Sequence, residues 1–127
     1  MEPALRDAFP GLEVRVSEFP GHAFQFGHEA VRERYGRVLC LGGDGTPFEV
    51  INGMYLQGRP PFLPEIGIIP SGTGNSFLLE FGIQTPEEAL RRIVAGRRVK
   101  VDLLEFDYQR NGRPERRYSL NLIGVGL

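Results

Sequence analysis

Apolar residues in this chain follow a period of two in some stretches and a helical period in others, and the difference predicts where strands and helices lie. Residues 12–18 alternate, with Val14 and Val16 on one side, which predicts a strand. Short apolar runs at 37–41 and 66–69 are each followed by a glycine-rich stretch, and each run predicts a buried strand.

Four stretches have the spacing or the start signals of helices. Residues 21–35 and 77–81 place apolar side chains at helical spacing, and a glycine follows each stretch as a stop signal. Two further helices are predicted to begin at Thr46 and Thr85, because a proline follows each threonine and a glutamate stands three residues after it. In such a capping box the two side chains satisfy free backbone N–H groups of the first turn.

The last third of the chain returns to a period of two. Asn111-Gly112 is a strong tight-turn signal between residues 99–108 and 118–123, which predicts an antiparallel hairpin. Alternating strands and helices followed by a hairpin predict an α/β fold with three layers and a mostly parallel sheet.

Composition excludes several classes of protein. Hydrophobic residues make up 41% of the chain and charged residues 24%, and the net charge of −1 gives no polycation suited to nucleic acid. The single cysteine, Cys40, lies in an apolar run, so a disulfide framework is excluded and a reducing cytoplasm is expected. Since the sequence shows no signal peptide and no apolar stretch of membrane-spanning length, any membrane contact is expected to be peripheral.

Two glycine-rich loops carry the candidate chemistry. Residues 42–46 and 71–75 each lie between a predicted strand and a predicted helix, where backbone N–H groups and the helix dipole favour phosphate. Glycine allows positive φ and lets phosphate oxygens approach the backbone. Because the carboxyl ends of parallel strands share one edge of a sheet, the two loops are expected to meet there.

The first loop matches neither of the two common nucleotide-binding patterns. A Walker loop needs a lysine, and the only lysine here is Lys100, while the dinucleotide pattern needs a glycine where Phe48 stands. The loop instead contains Asp44, whose carboxylate would repel phosphate unless it holds Mg²⁺, directly or through water, or accepts a proton from an attacking hydroxyl. Either role indicates phosphoryl transfer, and a simple turn aspartate is the alternative.

Three stretches of the sequence form a recognisable set. They are Ser17-Glu18-Phe19-Pro20-Gly21-His22-Ala23, then Gly42-Gly43-Asp44-Gly45-Thr46 with Glu49, Val50, Asn52 and Gly53, and finally Gly67-Ile68-Ile69-Pro70-Ser71-Gly72-Thr73-Gly74-Asn75-Ser76-Phe77. This set resembles the catalytic domain of the diacylglycerol kinase family, which includes sphingosine, ceramide and bacterial lipid kinases. The resemblance implies that residues 1–127 form a Rossmann-like nucleotide-binding lobe, without the family's first strand and its C-terminal β-rich lobe. It also implies ATP-dependent phosphorylation of a lipid hydroxyl, diacylglycerol or sphingoid in type, with Mg²⁺.

The resemblance assigns roles to individual residues. It implies that the nucleotide is bound by Ser17, Gly42, Gly43, Asp44, Gly45, Thr46, Pro47, Phe48, Gly72, Thr73 and Asn75. Asp44 is the catalytic and metal-binding candidate, and Glu49 and Asn52 are implied to support the first loop from its helix. The chain departs from the family at Phe48, where asparagine is usual, and at Ser76, where an aspartate is common.

Other interpretations of the same residues stay open. The capping box alone explains Glu49, a solvent-facing position explains Asn52 equally well, and a helix cap explains Asn75. Kinases of the NAD kinase and phosphofructokinase type share the Gly-Gly-Asp-Gly loop and act on soluble acceptors, and a non-catalytic nucleotide-binding remnant is a third hypothesis. The expected partners are a nucleotide and a lipid at a membrane surface, with no nucleic acid, and a homodimer is left open.

Overall fold

The computed structural model describes residues 2–42, 45–70, 82–83, 85–96 and 103–119. Within these ranges the helices are α1 (Glu2–Ala8), α2 (His22–Arg32), α3 (Gly45–Met54) and α4 (Pro86–Val94). The strands are β1 (Arg37–Gly42), β2 (Glu65–Pro70), β3 (Leu104–Arg110) and β4 (Arg113–Ser119).

β1 and β2 form a parallel pair with helices on both sides. Successive side chains of a strand point to opposite faces of the sheet, and here they enter two separate apolar clusters. On the α2–α3 face the buried residues are Ala23, Cys40, Val50 and Met54. On the α1–α4 face they are Leu5, Ile69 and Ala89. The predicted α/β fold, with a parallel sheet and a separate hairpin, is confirmed.

α2 and α3 approach each other so closely that two glycines are required where they meet. A Cβ atom at Gly27 would overlap the carbonyl oxygen of Val50, and a Cβ atom at Gly53 would overlap that of Phe24. Backbone therefore packs directly against backbone, which fixes the distance between the two helices.

β3 and β4 form the predicted hairpin, joined by a two-residue turn. Asn111 and Gly112 have φ values of 53° and 75°, the left-handed values that a type I′ turn requires at both central residues. β4 begins at Arg113, directly after the turn, and not at residue 118 as predicted. The strongly polar run after the turn concealed this part of the strand, which cross-strand ion pairs such as Arg116–Asp107, at 2.8 Å, support.

The predicted strand at residues 12–18 is wrong. The segment belongs to no helix or strand and has no ladder partner among the described residues. It lies along α2, where Arg15 forms an ion pair with Glu29, and Glu13 accepts a hydrogen bond of 2.6 Å from the Tyr35 hydroxyl. Alternation alone predicted the strand, but a strand also needs a neighbour to pair with.

The predicted threonine cap at Thr85 is confirmed. The Thr85 hydroxyl accepts a hydrogen bond of 3.1 Å from the backbone N–H of Glu88 at the start of α4. The other capping box is wrong, because α3 begins at Gly45, one residue before Thr46, and the Glu49 carboxylate bonds elsewhere.

α1 is a helix that the sequence analysis missed, and it contributes Leu5 to the α1–α4 face. The predicted helix at residues 77–81 lies outside the described residues, as do residues 99–102 of the first predicted hairpin strand.

Candidate functional site

The two glycine-rich loops leave the sheet side by side. Gly42 is the last residue of β1, Pro70 is the last residue of β2, and the two are directly paired in the ladder. Because the strands are parallel, the chain leaves both of them at the same edge of the sheet. α3 begins only three residues after Gly42, so its free N–H groups and the positive end of its dipole lie at this edge as well.

The first turn of α3 leaves room for a ligand. A Cβ atom added at Gly45 would meet no other atom within 4 Å, so the space beside this residue is open. A Cβ atom added at Gly42 would lie 2.8 Å from the Thr46 hydroxyl oxygen, so that hydroxyl lies against the end of β1. Pro47 is buried, whereas Phe48 is exposed. The described part of the first loop thus combines free backbone donors, a hydroxyl and open space.

Glu49 connects α3 to the segment that precedes α2. Its carboxylate accepts a hydrogen bond of 3.1 Å from the backbone N–H of Gly21, which has a φ of 88° and forms the N-cap of α2. An orphan N–H at the entrance to α2 is satisfied in this way. Glu49 therefore holds two helix starts together, a role that differs from the predicted capping box within α3.

Ser17 is exposed and lies in the segment that leads to this helix start. Directly after it, the backbone N–H of Glu18 donates a hydrogen bond of 3.0 Å to Nδ1 of His22. The His22 ring also stacks on Phe19, with centroids 4.2 Å apart and planes inclined by 8°. These contacts order the turn that follows Ser17, at the end of α2 that Glu49 joins to α3.

Asn52 is buried, so the solvent-facing alternative for this residue is wrong. Its Nδ2 group donates hydrogen bonds to the carbonyl oxygens of Phe48, at 2.7 Å, and of Tyr118, at 2.9 Å. Its Oδ1 atom accepts a hydrogen bond of 2.8 Å from the backbone N–H of Tyr118. The side chain thus joins α3 to β4, which lies 66 residues further along the chain.

The Tyr118 side chain makes a second contact, with the residue that follows α3. Its ring stacks on that of Tyr55, with centroids 4.3 Å apart. Burial raises the pKa of Tyr55 above its ordinary value, as expected for a phenol that is partly removed from water.

The remaining candidate residues fall outside the described part of the chain. These are Gly43 and Asp44 in the first loop and Gly72, Thr73 and Asn75 in the second. The structure therefore brings together the start of α3, Glu49 and the turn after Ser17, and it gives the positions from which both loops depart.

Sequence reasoning missed the partners of the supporting residues. Gly21 and Tyr118 lie 28 and 66 residues away from Glu49 and Asn52, and no spacing rule connects them. Gly27 and Gly53 did carry a signal, because a glycine inside a helix is costly unless close packing requires it.

Comparison with known proteins decides the family. The sequence profile of the diacylglycerol kinase catalytic domain matches residues 1–106. The chain belongs to this family. Its relatives include a protein of Serratia proteamaculans (strain 568) named "Probable lipid kinase YegS-like", 38% identical over 110 residues, which cover 84% of this chain and 35% of that protein. "Probable lipid kinase YegS" of Escherichia fergusonii is 34% identical over 104 residues, which cover 81% of this chain and 34% of that protein.

A solved structure has the same fold. It is "A putative diacylglycerol kinase from Bacillus anthracis str. Sterne", which matches with a TM-score of 0.72 and 30% sequence identity over 90% of this chain and 37% of that one. The chain spans about a third of the length of the relatives that it matches. In the described residues, no helix is both long and apolar enough to cross a membrane.

Proposed function

We propose that this chain is the ATP-binding part of a lipid kinase, which transfers the terminal phosphate of ATP to a lipid hydroxyl. The observation that carries the proposal is the direct pairing of Gly42 with Pro70, because it makes both glycine-rich loops of the family motif depart from one edge of the sheet. Two adjacent loops with free backbone N–H groups suit a chain of several phosphates better than a single loop does.

The described residues fit a bound triphosphate. The N-terminus of α3 offers N–H groups and a favourable dipole, and open space lies beside Gly45. The Thr46 hydroxyl, packed on Gly42, is a further donor at the same place. Among the residues outside the described part, Gly72 and Thr73 would complete the cradle from the second loop.

Asp44 is the residue that would hold Mg²⁺, directly or through water. In the sequence it immediately precedes Gly45, the first residue of α3. Mg²⁺ bound with ATP would supply positive charge that offsets the charge on the phosphate oxygens. The protein's own contribution is to orient the phosphates with backbone donors and to present a carboxylate beside them.

The acceptor in this proposal is a diacylglycerol or sphingoid lipid at a membrane surface, which a peripherally bound cytoplasmic protein would reach. The names of the relatives support a lipid acceptor, since those proteins are called lipid kinases. The soluble-acceptor alternative finds no comparable support in these names.

Nucleotide binding by the purified chain tests the first half of the proposal. Isothermal titration with Mg·ATP should show one site, and Asp44→Asn should weaken binding about tenfold or more, because the variant keeps the shape but loses the charge for Mg²⁺. Glu87→Gln is the matched control, since it removes an exposed carboxylate from the first turn of α4 and should leave binding unchanged. Absence of Mg·ATP binding, or equal affinity in Asp44→Asn, would contradict the proposal.

Transfer of γ-labelled phosphate tests the second half. The assay uses this chain, and also the Serratia protein with its matched 110-residue stretch replaced by that of this chain. Each is offered vesicles with diacylglycerol or a sphingoid base, with NAD in the surrounding buffer. We expect the label in the lipid fraction, and label found on NAD alone would overturn the lipid acceptor.

A further inference from the structure

Asn52 is the one buried polar side chain among the residues whose burial the structure describes, and each of its polar atoms is hydrogen-bonded. Its amide group faces the backbone of Tyr118 as a second peptide group would, donating to the carbonyl oxygen and accepting from the N–H. A side chain needs both a donor and an acceptor in this geometry to match one peptide group in both directions. A carboxylate or an aliphatic side chain of similar size cannot do so.

The pairing fixes the hairpin in one register against α3. Tyr118 lies opposite Glu105 in the β3–β4 ladder, and its N–H and C=O both turn to Asn52 on the outer side of the strand. A slip of one residue along β4 would reverse the side on which these groups point and leave the buried amide unpaired. The stacking of Tyr55 on Tyr118 adds a second contact at the same position.

The same amide reaches the first half of α3. Nδ2 donates both to Tyr118 and to the carbonyl oxygen of Phe48, which lies three residues after Gly45, where α3 begins. A single planar group therefore bridges the start of the helix at the candidate phosphate site and the backbone of the hairpin. If the hairpin shifted, Nδ2 would keep only the Phe48 carbonyl oxygen of its own helix, and the buried amide would lose both of its bonds to the Tyr118 backbone.

We propose that Asn52 is a positioning residue that couples the hairpin to the nucleotide site: through its bridge between Phe48 and Tyr118, docking of the hairpin and binding of Mg·ATP strengthen each other. The coupling rests on the proposed function, because it needs nucleotide at the start of α3. It must act in both directions, since a hairpin that favours nucleotide binding is itself held more firmly when nucleotide is bound.

Amide hydrogen exchange in the 127-residue chain tests the hairpin lock. In the wild type the Tyr118 N–H and the Asn52 side-chain NH₂ should be protected from exchange. This first measurement needs no variant. In Asn52→Leu and Asn52→Asp the protection of the Tyr118 N–H should fall about tenfold or more, while amides of the β1–β2 ladder such as Ile68 change far less. A Tyr118 N–H that exchanges freely in the wild type, or stays protected in both variants, would overturn the lock.

Titration with Mg·ATP tests the coupling in the same samples. The dissociation constant should rise about fivefold or more in Asn52→Leu and Asn52→Asp, within the range of measured coupling between sites. Tyr118→Phe keeps the backbone pairing and the ring, and should bind as the wild type does. If the Asn52 variants release the hairpin but bind Mg·ATP with a dissociation constant within about twofold of the wild-type value, the coupling is overturned. Failure of the wild type to bind Mg·ATP would instead overturn the proposed function, and hydrogen exchange would still decide the lock.

Discussion

The two faces of the parallel sheet are packed by different means. On the α2–α3 face, Gly27 and Gly53 let helix backbones touch, and a Cβ atom at either glycine would overlap a carbonyl oxygen. On the α1–α4 face, side chains fill the space, with Ile69 and Ala89 buried among partly exposed neighbours such as Leu90. The first arrangement has no adjustable part, whereas the second can repack.

The rigid face is the one that carries the candidate site. α3 begins at the sheet edge where the loops depart, and its residues bind the start of α2 through Glu49 and the hairpin through Asn52. A fixed distance between α2 and α3 helps to hold the N-terminus of α3 in place. We infer that the helix whose start would bind phosphate is the one whose position is fixed most tightly.

The largest effect is expected from Gly53→Ala. The new methyl group would meet the Phe24 carbonyl oxygen, and relief requires α2 and α3 to separate, so we expect a loss of about 3 kcal/mol or more in the free energy of unfolding. Urea denaturation measures this loss. Gly36→Ala is the matched control, since its methyl group meets no atom within 4 Å, and it should change stability by about 0.5 kcal/mol or less. If both substitutions lower the free energy of unfolding equally, the close packing of α2 on α3 is not what makes Gly53 necessary. The proposed distinction between the two faces would then fall.

Alkaline pH should also destabilise the α2–α3 face, through Cys40. Burial raises the pKa of this thiol from 9.0 to about 12, so the folded state retains a proton that the unfolded state loses. The stabilisation is complete below about pH 9 and declines as pH rises towards 12, by about 1 kcal/mol per pH unit. The free energy of unfolding, compared at pH 8 and pH 10.5, should fall less in Cys40→Ala than in the wild type. The same decline in both chains would show that the thiol is not held away from water.

The smallest effect is expected on the other face, from Ile69→Val. Ile69 is fully buried, but its neighbours are side chains that can close around one missing methyl group. We expect a loss of about 1 kcal/mol, measured by the same denaturation. A loss as large as that of Gly53→Ala would mean that this face is as rigid as the first.

The sequence predicted much of this fold, because local chemistry determines the parts concerned. The Asn111-Gly112 turn, the cap at Thr85 and the two apolar strands depend on residues close together in the chain. The wrong predictions depend on distant partners. Residues 12–18 have the alternation of a strand, but no ladder partner for them lies in the described residues.

The candidate site divides in the same way. The family motif located the loops, and the structure adds that the strands before them end as direct neighbours. The roles of the supporting residues could not be inferred, because Glu49 and Asn52 act on backbone groups 28 and 66 residues away. The identity of Asn52 is explained only when the peptide group it faces is known.

The most direct test of the account uses Mn²⁺ in place of Mg²⁺ with ATP, and follows the paramagnetic relaxation of backbone amides by NMR. The account predicts strong relaxation of Gly45 and Thr46 in the first loop region together with Gly72 and Thr73 in the second. Arg37 and Glu65, at the other end of the paired strands and about 16 Å away, should be affected far less. Relaxation confined to one loop, or centred on Arg37 and Glu65, would contradict the claim that both loops hold one nucleotide at a shared edge.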